Sequence, residues 1–166
     1  MRKLKIIVIA IIVFISFSSC EKDDICDENT STTPRIIIEF YDALNPSVLK
    51  NITNLKVTEI GSTSSILFTD DSKIAIPLKT NLDTVKFELI LNSTSTTIAN
   101  TDYIEFNYTR KNVFVSRACG YKTIFTLTSN PLITDKVPAD EKWIQSSTTT
   151  TFNIETENET HIKIYI

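Results

Sequence analysis

Residues 84–91 read Thr-Val-Lys-Phe-Glu-Leu-Ile-Leu, an alternation that places Val85, Phe87, Leu89 and Leu91 on one side of an extended chain. A two-residue period cannot line one face of an α-helix, so the stretch is predicted to be a half-buried strand. The pattern recurs along the chain. Ile36, Ile38 and Phe40 oppose Arg35, Glu39 and Tyr41, while Ile37 interrupts the polar side and predicts that this face is partly covered. Leu55 with Val57, Ile74 with Ile76 and Leu78, Ile104 with Phe106 and Tyr108, and Phe125 with Leu127 mark further strands.

The punctuation between these runs predicts the connections. Asp70-Asp71-Ser72 suits a short hairpin between residues 66–69 and 73–78, and Arg110-Lys111-Asn112 suits a turn into Val113-Phe114-Val115. Gly120, one of two glycines, suggests a backbone position closed to other residues, such as a bulge. Residues 134–145 carry the weakest strand signal; Pro138 can open one helical turn through Lys142, and Trp143 is expected to pack back on the domain. The Ser/Thr tract 146–151 lacks proline and reads as a strand. Residues 151–156 and 160–166 predict a terminal hairpin with Phe152, Ile154, Ile162, Ile164 and Ile166 inward. About nine short strands with no sustained helical period predict an all-β, antiparallel β-sandwich, immunoglobulin-like or transthyretin-like, with a small β-barrel as the alternative. The last strand should pair inside a sheet, since an exposed apolar edge invites aggregation.

The first residues obey different rules. Arg2, Lys3 and Lys5 precede residues 6–17, which are apolar except for Ser16, and small Ser18 and Ser19 come just before Cys20. This is the layout of a secretory signal, and twelve residues fall short of the ~20 needed to cross a bilayer. A retained anchor helix is the alternative. Small residues followed directly by cysteine resemble the lipobox of bacterial lipoproteins, with Phe17 where leucine is commoner. The resemblance implies that Cys20 begins the mature protein, carrying a thioether-linked diacylglycerol and a further acyl chain on its amine. Two or more acyl chains hold a protein stably on a membrane. The expected organisation is a signal peptide over 1–19, a lipid-anchored acidic tether over 20–34 and a single sandwich domain over 35–166.

Glu21-Lys22-Asp23-Asp24 follows the cysteine. Lys22, Asp23 and Asp24 in this position resemble the surface-export signal of Bacteroidota lipoproteins, which implies the outer face of the outer membrane; the periplasmic face is the alternative, with the acids then a plain solvated tether. No glycine stands where an EF-hand loop requires one, so Asp23, Asp24, Asp27 and Glu28 do not read as a calcium loop.

Charge narrows the partners. All 20 acids lie beyond the leader while three of the 17 basic residues lie in it, so the mature part is more acidic than the whole chain's −3. That balance argues against nucleic acid and against an anionic membrane surface as partners, because both need a basic footprint. With Cys20 acylated, Cys26 and Cys119 remain in an oxidising compartment, where two thiols most simply pair; two free buried thiols are the alternative. Two cysteines and one histidine are too few soft ligands for the usual zinc patterns, and neither metal nor cofactor is expected.

Catalytic patterns are sparse. His161 is the only histidine, and its alternation with Ile162 and Ile164 predicts a solvent-facing strand residue and not a triad base. Gly61 and Gly120 are isolated, so no loop cradles phosphate. The carboxylate pairs Glu39 with Glu88 and Glu105 with Glu155 each suit outward strand positions. Tyr41, Tyr103, Phe114 and Tyr165 fall on the polar sides of their strands, where clustering would give a sugar- or protein-binding patch. Asp83-Thr84-Val85 resembles the O-glycosylation motif of exported Bacteroidota proteins, which implies modification of Thr84.

Over nearly its whole length the chain resembles a family of uncharacterised flavobacterial lipoproteins that share a domain of unknown function. The likeness rests on the junction 20–28, the opening Pro34-Arg35-Ile36-Ile37-Ile38-Glu39-Phe40-Tyr41-Asp42, the segments 73–78 and 115–120, and the closing Thr160-His161-Ile162-Lys163-Ile164. It supports the pairing of Cys26 with Cys119 and implies no reaction. The expectation is a lipid-anchored envelope lipoprotein, not an enzyme, that displays a binding or accessory module for an envelope protein or glycan. A carboxylate-based hydrolase of extracellular glycan is the alternative.

Overall fold

The computed structural model describes residues 25–166. They form eleven strands: β1 (Ile36–Tyr41), β2 (Ile52–Glu59), β3 (Ser65–Asp71), β4 (Lys73–Ile76), β5 (Thr84–Leu91), β6 (Asn100–Ser116), β7 (Gly120–Leu127), β8 (Leu132–Asp135), β9 (Ser146–Thr149), β10 (Asn153–Ile154) and β11 (Ile162–Tyr165). The described chain divides into two compact units. One comprises residues 25–30 with Phe114–Tyr121, the other Ser31–Val113 with Lys122–Ile166.

The larger unit holds a sandwich. A four-stranded sheet runs β4-β1-β11-β9, and a seven-stranded sheet runs β10-β7-β6-β5-β2-β3 with β8 also on β6. Two separate sheets answer the choice between sandwich and barrel in favour of the sandwich. The pairs β1–β4, β9–β11, β2–β3, β2–β5 and β5–β6 are antiparallel, whereas β1 and β11 run parallel with Ile38 opposite Ile162 and Phe40 opposite Ile164. That pairing places the last strand between β1 and β9, inside the sheet.

Alternation explains the core. Ile36, Ile38 and Phe40 of β1, Ile74 and Ile76 of β4, and Ile162 and Ile164 of β11 are buried with Leu55 and Val57 of β2, Val85, Phe87 and Leu89 of β5, and Ile104, Phe106 and Tyr108 of β6. At about 25 cal/mol per Å² of apolar surface removed from water, this continuous cluster is the main source of stability. Aromatic edges fix its geometry, as in Tyr108 against Phe125 at 5.3 Å and Phe87 against Phe106 at 6.4 Å. Trp143 packs back as expected, 6.2 Å from Phe40, with its indole N–H on the Leu89 carbonyl at 3.4 Å.

Several connections differ from the local reading. Residues 66–69 and 73–78 do not form a hairpin: β3 pairs β2, whereas β4 pairs β1 in the other sheet. Ser72 is the crossing point, held by its carbonyl to the Phe40 N–H at 2.9 Å. Burying Ile74 and Ile76 beside β1 outweighs local pairing with the largely exposed β3. Nor does the chain turn at Arg110-Lys111-Asn112. β6 continues through it as a ribbon exposed on both faces over residues 109–112, which is why the sequence there has no apolar side. Arg110 is engaged by Asp83 and the Thr80 carbonyl, each at 2.6 Å, and Asn112 accepts the Thr123 hydroxyl at 2.9 Å.

The predicted helical turn from Pro138 to Lys142 is also absent. Glu141 has φ of +70°, and Asn100 donates its side-chain amide to the carbonyls of Asp140 and Glu141, so tertiary bonds take the groups a helix would use. The hairpin partner of β11 is β9, while β10 crosses to β7 in the other sheet. Because β10 is only two residues long, Ile154 is buried but Phe152 precedes it and stays 45% exposed, not inward as alternation implied.

The polar segment before β1 belongs to the sandwich. Ser31 accepts the Lys122 ammonium at 2.8 Å, Thr33 accepts the Thr123 N–H at 3.0 Å, and Pro34 is buried.

Candidate functional site

Cys20, Lys22, Asp23 and Asp24 lie outside the described residues, whereas Cys26 is described. Its sulfur is bonded to that of Cys119, with Cα atoms 4.9 Å apart and a sequence separation of 93. Local turns present both cysteines. After Cys26, Asp27 accepts the N–H of Asn29 on its side chain at 2.8 Å and that of Thr30 on its carbonyl at 2.9 Å. Between β6 and β7, the Ser116 hydroxyl accepts the Cys119 N–H at 3.0 Å. Gly120 then takes φ of +71°, a conformation L side chains rarely adopt, although a Cβ there would meet nothing within 4 Å. The glycine is needed for its backbone and not for space. A cleft of about 540 Å³ opens beside the bridge, lined by Ile25, Asp27, Thr30 and the turn that carries Arg117. Phe114 and Tyr121 pack edge to face at 5.4 Å in the same unit, 56% and 70% exposed.

The four aromatic side chains read as a patch do not form a single one. Tyr41 and Tyr165 are directly opposite across β1 and β11, with rings 5.9 Å apart. Tyr103 belongs to the other sheet, where it meets Lys86 at 5.0 Å and donates its hydroxyl to Glu88 at 3.3 Å. Phe114 pairs with Tyr121 instead. The alternation that put all four on polar sides could not say which sheet each polar side belonged to.

Around Tyr41 and Tyr165 the outer side of the four-stranded sheet is organised by charge. Lys163 lies over the Tyr41 ring at 4.7 Å, the Tyr41 hydroxyl donates to Glu39 at 2.9 Å, and Lys73 pairs with Glu39 at 3.3 Å. Burial alone would raise the Glu39 pKa, but hydrogen bonds from Thr160, Tyr41 and Lys73 together hold it below the ordinary carboxylate value. The same bond to Glu39 raises the Tyr41 phenol. The arrangement is a fixed set of two phenol rings, a carboxylate and two ammonium groups, suited to hydrogen bonding with a polar ligand and to stacking on it.

Of the carboxylate pairs, Glu39 and Glu88 do not converge. Glu39 is in β1 and Glu88 in β5, in different sheets and on outward positions. Glu105 is 3.5 Å from the Asn107 amide, and Glu155 is exposed. A carboxylate missed in the sequence is Asp102, fully buried on β6 opposite Asp135 of β8. One oxygen accepts the Ile144 N–H at 2.8 Å and the other has no hydrogen-bond partner. Burial raises its pKa, and the Asp135 charge adds to that, against the opposing pull of the Ile144 bond. Among the described residues no three His, Cys, Asp or Glu side chains are grouped to hold a metal ion.

His161 corrects the reading of a solvent-facing residue: it is fully buried. It lies one residue before β11 begins, so strand alternation does not govern it. Its N–H donates to the Ile37 carbonyl at 3.0 Å, and its ring Nδ1 accepts the Ile37 N–H at 2.9 Å. Ile37 is itself buried, as the break in the polar side of β1 implied. Beside them Arg35 holds Glu157 through two guanidinium bonds of 2.9 and 2.6 Å.

Thr84 is exposed at the start of β5, and the neighbouring Asp83 is taken by Arg110. Residues 54–166 match the model of a family of unknown function, DUF6452. The chain belongs to that family. Neither a curated protein nor a solved structure matches it. The DUF6452 match begins within β2 and takes in Cys119 and the tyrosine of β11. Cys26 and β1, the strand that supplies Tyr41, precede it.

Proposed function

We propose that this chain is a lipid-anchored lipoprotein of a Bacteroidota cell envelope, acylated on Cys20 and displayed by Lys22, Asp23 and Asp24 on the outer face of the outer membrane. The observation that carries this reading is the Cys26–Cys119 bridge. A disulfide of this kind belongs to an oxidising, exported compartment, as the leader also implies. It lies six residues beyond the cysteine that follows the leader, and so ties β6 and β7 covalently to that point.

The displayed sandwich acts in this proposal as a binding or accessory module for an envelope protein or glycan, through the face built on Tyr41 and Tyr165. A hydrolase would need two carboxylates facing one cleft, and Glu39 and Glu88 sit in different sheets. Thr84 is the proposed O-glycosylation position, its exposure at a strand start leaving it open to modification.

Affinity capture on native outer membranes tests the module. The intact protein should retain a glycan or protein that the Tyr41→Ala, Tyr165→Ala double variant does not. Equal retention by both proteins, or none by either, would contradict this face as the binding site. Alanine at Lys22, Asp23 and Asp24 should remove sensitivity to protease added outside the cell; undiminished cleavage would refute surface export.

A further inference from the structure

We infer that Phe114 and Tyr121 form a lipid-contacting surface, entering the interfacial layer of the bilayer that carries the Cys20 acyl chains. The inference rests on the anchoring proposed above and goes beyond it, since an anchored chain need not touch the membrane with any folded part. Chain length supplies the first argument. Cys26 is six steps along the chain from Cys20, and an extended chain spans at most about 3.3–3.6 Å per residue, so Cys26 is held within roughly 20 Å of the lipidated residue. The bridge adds 4.9 Å between Cα atoms, so Cys119 stays within roughly 25 Å of that residue while the disulfide is intact.

The second argument is what the unit exposes there. Phe114 and Tyr121 belong to the same compact unit as both cysteines, and Tyr121 is only two residues from Cys119. Their rings are in mutual contact yet more than half exposed, and Ile25 on the tether is 81% exposed. Three of the fourteen large apolar side chains exposed among the described residues fall in this one small unit. An aromatic ring beside a phenol suits the headgroup region, where one part of the pair meets acyl chains and the hydroxyl meets water. Arg117, in the turn between the two strands, adds a cation for a lipid phosphate. The membrane is preferred to a protein partner because the tether holds this unit near the bilayer whether or not a partner is present.

The test uses the full acylated chain in vesicles of phosphatidylethanolamine and phosphatidylglycerol, made with or without brominated acyl chains. Phe114→Trp and, separately, Tyr121→Trp place a reporter at the pair, and the signal of the buried Trp143 is taken from the unsubstituted chain. Both substitutions are at exposed positions, and an intact Cys26–Cys119 bridge by mass shows that the unit has formed. Flotation with the vesicles, a shift of the added emission to shorter wavelength and its loss in brominated vesicles are expected. A protein that floats while the added emission is the same in both vesicles overturns the lipid contact and leaves the anchoring intact. A protein that does not float overturns the anchoring and the inference with it.

Discussion

The Nδ1 of His161 accepts the backbone N–H of Ile37 at 2.9 Å, so a side chain supplies one rung of the β1–β11 ladder beyond the end of the strand. Only a neutral ring with its proton on Nε2 can accept at Nδ1. Burial lowers the His161 pKa, and this outweighs the attraction of Glu159 and Glu157; Lys73 acts in the same direction as burial.

The sign of the pH dependence follows. With its folded pKa below the ordinary 6.5, His161 binds a proton more readily in the unfolded chain. Its contribution to stability is therefore complete above about pH 6.5 and is lost as pH falls from there through the lowered folded value. Urea unfolding between pH 8 and pH 5 should show this loss. His161→Asn retains an acceptor near the Nδ1 position and should flatten the slope. His161→Leu should cost about 1–3 kcal/mol at pH 8, because the buried Ile37 N–H then has no acceptor. An unchanged slope in His161→Asn would show that other groups set the pH response.

Asp102 should act in the opposite sense. Burial raises its pKa, so its contribution is fullest at low pH and diminishes as pH rises through the folded value. Asp102→Asn keeps an acceptor for the Ile144 N–H, removes the charge that faces Asp135 and should be neutral to stabilising by up to about 1 kcal/mol at pH 7. Asp102→Leu leaves the Ile144 N–H unpaired, and hydrogen exchange should show residues 136–144 opening first. Protection of that segment equal to the parent's would contradict the pinning role.

Tyr108 closes a buried exchange with Lys79. Its hydroxyl accepts the Lys79 N–H at 2.9 Å and donates to the Lys79 carbonyl at 3.1 Å. Tyr108→Phe should preserve the edge contact with Phe125 and lose about 1–3 kcal/mol in chemical denaturation. A loss well below 1 kcal/mol would mean that water replaces the hydroxyl.

Reduction of the Cys26–Cys119 bridge should lower the stability of the sandwich by less than the ~4–5 kcal/mol that loop-closure entropy assigns to a loop of this size. The reason is that residues 25–30 are fixed mainly by the bridge and the local turn at Asp27, so they gain freedom in the folded state as well. About 2–3 kcal/mol is expected from urea titrations with and without reductant. Reduced protein should also be cut faster by protease within residues 25–30.

The elements with strong alternation were legible in the chain. β1, β5, and the buried parts of β6 and β7 follow directly from Ile36, Phe87, Phe106, Phe125 and their two-residue neighbours. What could not be read is which partner each strand takes. Asp70-Asp71-Ser72 has hairpin chemistry, yet the chain crosses between sheets there because Ile74 and Ile76 are buried against β1. His161 and Asp102 look like surface residues, and distant backbone N–H groups, those of Ile37 and Ile144, make them buried acceptors. The aromatic residues illustrate the same point. Tyr41 and Tyr165 are 124 residues apart and meet only because β1 and β11 pair in parallel.

The most direct test of the account is the intact mass of the protein extracted from native membranes, with thiols alkylated before and after reduction. The chain should begin at Cys20, carry acyl mass there, and take up alkyl groups on Cys26 and Cys119 only after reduction. A chain without acyl mass, or one whose two thiols alkylate without reductant, would contradict it.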